Sequence, residues 1–156
     1  MTRFADRLVR ARHFRGHGVH SPFVYALVRE TFMKRGLRTS ERALYEALLE
    51  AGVAKRRAVQ LQNLFSHCGY RTFGLNCAAE VDMNVLTRDF PAERLPEMLG
   101  RASERGTTLC VMSPYDDALR IEECRRLVRE HASTSVDNRG YLLLFNNYLP
   151  KQHFRL

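Results

Sequence analysis

The sequence contains no tryptophan, and no apolar run in it approaches the ~20 residues that a membrane-spanning helix needs. The longest, Tyr141 to Phe145, is strand-sized. The first residues carry Arg3, Arg7 and Arg10 but no apolar core, so a secretory signal is not expected. An arginine-rich start also suits an organelle transit peptide, but a patterned helix and turn follow it without a break. The expectation is a cytoplasmic protein that does not enter a membrane. Cysteine is scarce: Cys68, Cys77, Cys110 and Cys124 include no C-x-x-C pair and match no paired zinc spacing. Four reduced core thiols, each in an apolar helical or strand context, is the reading. Neither a G-x-S-x-G elbow nor a phosphate-binding P-loop is present. Cys68 follows His67, but neighbouring helix residues do not face each other, so no catalytic thiol is assigned. No catalytic residue and no metal ligand set is assigned at all.

What is present suffices for a core. The 156 residues correspond to about one domain, which hides roughly two-thirds of its unfolded surface. One domain over 1–156 is expected, mainly helical over 1–68 and α/β over 69–156. The net charge of +8 is one-sided. Residues 1–57 hold 13 Lys/Arg against 5 Asp/Glu, whereas 58–156 hold 12 of each. Such asymmetry points to an anionic partner for the first third.

Residues 3–14 read as an amphipathic helix, with Phe4, Leu8 and Ala11 on one stripe and Arg3, Arg7 and Arg10 on the next. Gly16 and Gly18 break it. Ser21-Pro22 is a strong helix start, a good N-cap followed by a proline that loses no needed N–H. That helix runs through Phe32 and ends near Gly36. Ser40 caps a third helix with Leu44, Ala47, Leu48 and Ala51 inward, stopped by Gly52. A fourth runs from Lys55 to Cys68 with Ala58, Leu61, Leu64, Phe65 and Cys68 on one face, and Gly69 follows. The pattern then changes. Arg71–Asn76, Met83–Arg88 and Thr107–Met112 have strand character, with a helix from Ala92 to Arg105 between the last two. A helix from Asp117 to His131 turns Ala118, Ile121, Cys124 and Val128 inward. Val136–Phe145 is a hairpin turning at Asp137-Asn138-Arg139-Gly140, or a broken strand, and a short tail through Pro150 closes the chain. Helices first, then strand–helix alternation, predict an α/β fold with a partly parallel sheet.

Arg15-Gly-His-Gly-Val-His-Ser-Pro-Phe-Val-Tyr25 resembles the N-terminal signature of a bacterial family of class I S-adenosylmethionine-dependent methyltransferases, which begin with a similar HGVHSPF turn and helix. The closing Lys151-Gln-His-Phe-Arg-Leu156 resembles that family's last residues, and Glu122–Arg129 its last acidic amphipathic helix. Met83–Leu99 resembles a later strand with Asp89-Phe90 and Leu95-Pro96 in place. The resemblance implies a reduced Rossmann-like methyltransferase sheet with an N-terminal helical cap. It also implies S-adenosylmethionine as cofactor if the site is rebuilt. His17, His20, Ser21, Gln152 and His153 match the family without an assigned role.

The chain departs from the family after Arg71–Asn76. A methyltransferase needs a glycine-rich turn there, so that the backbone can approach the cofactor. Gly74 stands alone inside the strand, no G-x-G follows, and there is no room for a helix and a second strand with a ribose-binding acid. The candidate cofactor residues are therefore Gly74, Asn76 and Asp89. The family's acid pair falls on Ser113-Pro114, and Asp116-Asp117 replaces it only with a shift of three residues. A non-catalytic binding or scaffolding module is the leading expectation. The alternatives are an active methyltransferase with an atypical or shared site, watching Asp89, Asp116 and Asp117, and a basic nucleic-acid-binding protein.

Two clusters remain. His13, His17 and His20 suit a shared metal if helical, but Gly16 and Gly18 argue for a structural turn, which His153 would join if the tail folds back. Arg3, Arg7, Arg10, Arg12 and Arg15, with Lys55, Arg56 and Arg57, suit phosphates, a solvated face or an acidic protein. A homodimer through the N-terminal helices or an exposed edge strand is also expected.

Overall fold

The computed structural model describes residues 21–146 and 149–156. The helix at 3–14, the histidine turn and the arginines up to Arg15 lie outside the described residues. Contacts divide the chain into two compact units, Met1–Arg71 with Leu156, and Thr72–Arg155. No helix among the described residues is long and apolar enough to cross a membrane.

The described residues of the first unit, 21–71, are mainly helical. Helix α1 (Pro22–Leu27) starts as its sequence dictates: Ser21 is extended and its Oγ accepts from Val24 N at 3.3 Å, with proline in the first turn. It continues as one π-helical turn (Val28–Phe32), where Met33 N reaches back to Val28 O at 3.1 Å. Helix α2 (Ala43–Glu50) buries Leu44 and Leu48, and Gly52 ends it at φ +83°. Ser40 does not cap it. Arg42 holds the N-cap position without a side-chain bond, and the free amide of Tyr45 is taken at 2.9 Å by Gln62 Oε1 from the next helix. A neighbouring helix supplies the cap, which no local pattern announces.

That next helix, α3 (Lys55–His67), is buried continuously from Ala58 to Phe65, including Gln60, Gln62 and Asn63. An apolar stripe alone does not describe it. Each buried amide is matched to backbone. Gln60 Nε2 donates to Phe32 O at 3.1 Å, Asn63 Nδ2 donates to Gly36 O and Asn63 Oδ1 accepts from Arg38 N, both at 2.9 Å. His67 packs its ring nitrogen against Arg38, and burial and that cation lower its pKa.

The second unit is α/β. Six strands, β1 (Phe73–Leu75), β2 (Met83–Leu86), β3 (Thr108–Met112), β4 (Ser135–Asp137), β5 (Tyr141–Leu144) and β6 (His153–Arg155), form one mixed sheet in the order β1-β2-β3-β5-β4-β6. All run parallel except β5, which is the return arm of the expected hairpin and pairs antiparallel with β3 and β4. The tail after Pro150 is a sheet strand, β6, paired with β4 through His153↔Ser135. Helices α4 (Leu95–Arg105, entered through a 3₁₀ turn at Ala92–Arg94) and α5 (Ala118–Glu130) share a core with the sheet, including Leu86, Leu99, Leu109, Val111, Leu127 and Leu142. Strands β2, β3 and β5 are buried throughout, as central strands of a helix-covered sheet are.

Helix α5 is rotated from its expected phase. Arg120, Cys124 and Leu127 are buried, while Ala118 is exposed and Ile121 and Val128 are half-buried. Cys77 lies in a loop rather than in a helix or strand, and Cys68 is half-buried at the end of α3. Burial pushes the Cys68 thiol up to about 11 and the Cys124 thiol up to about 12.

The parallel pair β1–β2 is joined by residues 76–82 alone, shorter than the roughly dozen residues a parallel crossover normally takes. With no helix in the connection, its polar groups are met by side chains. Asn84 Nδ2 donates to Cys77 O at 2.7 Å, Thr107 Oγ1 to Val81 O at 2.7 Å, and Arg105 to Ala78 O. Asp82 and Thr72 exchange two bonds, each 3.0 Å. The doubled-back chain sets the Cys77 thiol where a Cβ on Gly74 would stand, at 2.1 Å. Gly74→Ala is therefore expected to destabilise by about 1 kcal/mol. In a Cys77→Ala background the same change becomes neutral or stabilising; urea denaturation of the double-mutant cycle measures the coupling.

His131 is buried at the end of α5, its Nε2 against Phe145 O at 2.8 Å. Burial lowers its pKa, so the unfolded chain binds the proton more tightly. The stability this contributes is full above the ordinary histidine pKa and is lost as pH falls through the depressed folded value. Urea midpoints are expected to fall between neutral and mildly acidic pH, and His131→Gln flattens part of that fall.

Candidate functional site

Ligands of open α/β sheets gather outside the carboxyl ends of the parallel strands. Here that edge is formed by the residues after Leu75, Leu86, Met112 and Asp137. Asn76 follows β1 in a left-handed conformation, φ 53°, and Ser113 follows β3 at φ 52°. Such non-glycine conformations cost of order 1 kcal/mol, offset by the bonds they permit. Asn76 Nδ2 donates to Thr87 Oγ1 and Asn76 Oδ1 accepts from Thr87 N, both at 2.8 Å, so a two-bond bracket closes the end of β1 onto the end of β2. Ser113 N donates to Gly140 O at 2.8 Å and ties β3 to the hairpin turn.

Under this edge lies the Arg120 side chain, 2% exposed. Its Nε and Nη2 donate to Met112 O at 3.1 and 2.8 Å, Nη1 to Phe90 O at 2.8 Å, and Nη2 also to Thr87 O at 3.0 Å. The planar guanidinium thus holds the ends of β2 and β3 and the turn after β2 in one plane of bonds. Asp117 caps α5, accepting from Arg120 N at 2.8 Å, which fixes the backbone from which that side chain springs. On the outer surface Arg88 grips both carboxylate oxygens of Asp116, at 2.9 and 3.0 Å. Asp137, buried at the end of β4, accepts from the Tyr115 hydroxyl and from Arg139 N.

Of the residues expected from sequence, Gly74 lies mid-strand in β1, Asn76 at its end, and Asp89 exposed beyond β2. Asp116 is in the ion pair and Asp117 is a helix cap. Gln152 and His153 sit at the opposite, amino edge: Gln152 O accepts from Ser135 N at 2.9 Å, and His153 Nδ1 shares a 2.8 Å bond with Ser135 Oγ. Ser21 caps α1 in the other unit, where Arg56 is exposed and Arg57 half-buried. His17, His20, Arg3, Arg7, Arg10 and Arg15 lie outside the described residues. Among the described residues no group of three or more His, Cys, Asp or Glu could hold a metal ion. Thr87, Tyr115, Arg120 and Asp137 were not among the sequence candidates. Only Arg120 carried a signal, a charge at the position four before Cys124 and seven before Leu127.

Arg120→Leu removes all four of these bonds from the buried edge, and Thr87 O keeps only its bond from Phe90 N. A loss of about 3 kcal/mol in urea denaturation is expected. Arg120→Lys recovers only a fraction, because an ammonium cannot span the three carbonyls. No family model, no curated protein and no solved structure matches the chain.

Proposed function

We propose that this protein is a methyltransferase-like, non-catalytic binding or scaffolding module with a reduced Rossmann-like sheet that no longer holds S-adenosylmethionine. The observation that carries the reading is the Asn76–Thr87 bracket. A cofactor of this kind needs main-chain N–H groups and close backbone approach at the end of the first strand. At that place the chain offers a side-chain amide already committed in both directions, and the next strand follows directly beside it. Arg120 and the Arg88–Asp116 pair likewise commit charged side chains of this edge to partners within the protein. The residues present do not fit the cofactor, and no methyl-transfer step is assigned to them. The unit Thr72–Arg155 keeps the parallel, helix-covered character that the resemblance implies, which supports shared ancestry as the reason the sheet persists.

Isothermal titration with S-adenosylmethionine and with S-adenosylhomocysteine is expected to give no heat, and millimolar ligand no thermal shift. A micromolar ligand at that concentration would stabilise the fold by about 4 kcal/mol, an unmistakable change. Micromolar binding would overturn the reading in favour of a compact methyltransferase with an atypical site.

A further inference from the structure

The amide of Gln60 faces two ways. Its Nε2 holds Phe32 O at 3.1 Å and its Oε1 receives Arg57 Nη1 at 3.2 Å. The turn that follows Phe32 begins Met33-Lys34-Arg35, and the residues before Arg57 are Lys55-Arg56. One buried side chain therefore brings two basic stretches together that lie far apart in sequence. Asn63 then fixes the turn at Gly36 and Arg38, so its position does not depend on solvent-exposed contacts. Lys34, Arg35, Lys55 and Arg56 are all exposed and make no ion pair among the described residues. The local carboxylate Glu30 is engaged elsewhere, with Arg38 at 3.6 Å.

We infer that this surface of the helical unit binds the phosphate backbone of nucleic acid without reading base sequence. The inference names a partner for the proposed non-catalytic module and rests on that reading. Exposed cations on two segments joined through Gln60, with no ion pair among the described residues, match a polymer carrying a phosphate at every step, and binding releases its condensed counterions. Base reading is not expected, because the helix that carries Lys55 and Arg56 is buried from Ala58 onward, leaving no helix face to enter a groove. An anionic membrane is disfavoured, since surface binding of that kind also needs a broad apolar face, and Met33 is the single large apolar side chain exposed on this turn. A protein partner is disfavoured because protein interfaces are enriched in aromatic side chains, and neither Met33–Arg35 nor Lys55–Arg57 contains one.

The test is fluorescence anisotropy of the full chain with labelled duplexes of two unrelated sequences, over a salt series. Both duplexes are expected to bind alike, with affinity falling steeply between about 50 and 200 mM salt. The quadruple change Lys34→Glu, Arg35→Glu, Lys55→Glu and Arg56→Glu is expected to weaken binding at least tenfold and to flatten the salt slope. Lys34→Ala with Arg35→Ala, which leaves the helix untouched, is expected to give a smaller loss in the same direction. Charge reversal at three arginines of the other unit, Arg101, Arg125 and Arg129, should change little. No binding at low salt would overturn the inference. So would binding that the quadruple variant, shown folded by its circular dichroism, retains in full, or equal binding to polyglutamate or to phosphatidylserine vesicles. These outcomes are separate from the cofactor titration. Heat with S-adenosylmethionine would sink the module reading while leaving the duplex result standing, and loss of duplex binding does the reverse.

Discussion

Three carbonyl groups at the carboxyl end of the sheet, those of Thr87, Phe90 and Met112, point at a single guanidinium. Strand ends leave backbone groups without ladder partners, and groups buried there must be matched or cost of order 1–3 kcal/mol each. Arg120 matches them from a helix that also supplies the sheet's apolar cover. The turn after β2, the exit from β3 and the phase of α5 therefore cannot be adjusted independently. An arginine on the buried stripe dictates which way the helix faces, and Ile121 and Val128 give up full burial to it.

The same device recurs. In the first unit Gln60, Gln62 and Asn63 close the ends of neighbouring segments from inside α3. In the second, Asn84, Arg105 and Thr107 serve the connection that lacks a helix, and Asn76 serves the end of β1. In each case a side chain supplies bonds that longer secondary structure would have supplied from its own backbone. The carboxyl edge is closed as a result: the side-chain groups that line it are consumed in holding the strand ends together.

Local chemistry made much of this visible in the sequence. Ser21-Pro22, Gly52, Gly69 and Gly106 mark helix ends by rules that act over a few residues, and the last three have the left-handed φ those rules require. The turn at Asp137–Gly140 was legible for the same reason. The misses are long-range. Ser40 looked like a cap, but the amide that needed capping was reached by Gln62 across the unit. The inward face of α5 is set by Arg120, a charge that an apolar stripe does not place inside and that only the distant carbonyls of Thr87, Phe90 and Met112 draw there. The tail after Pro150 carries no strand pattern of its own, because His153–Arg155 is short and mostly polar, and only its pairing with β4 defines it. At the candidate site, Asn76 could be named from its place after a strand, whereas Thr87 became relevant only once the two strand ends stood side by side.

The helix-less connection between β1 and β2 also alters how this sheet can assemble. Parallel strands are ordinarily late to pair, because a long crossover must be ordered before any ladder bond forms. Here Phe73 finds Met83 within the reach of an ordinary hairpin. Relative to a crossover about three times longer, the closure entropy saved is about 1 kcal/mol. A pairing that is topologically parallel thus becomes local in sequence, and the β1–β2 edge gains the search statistics of a hairpin without reversing its direction.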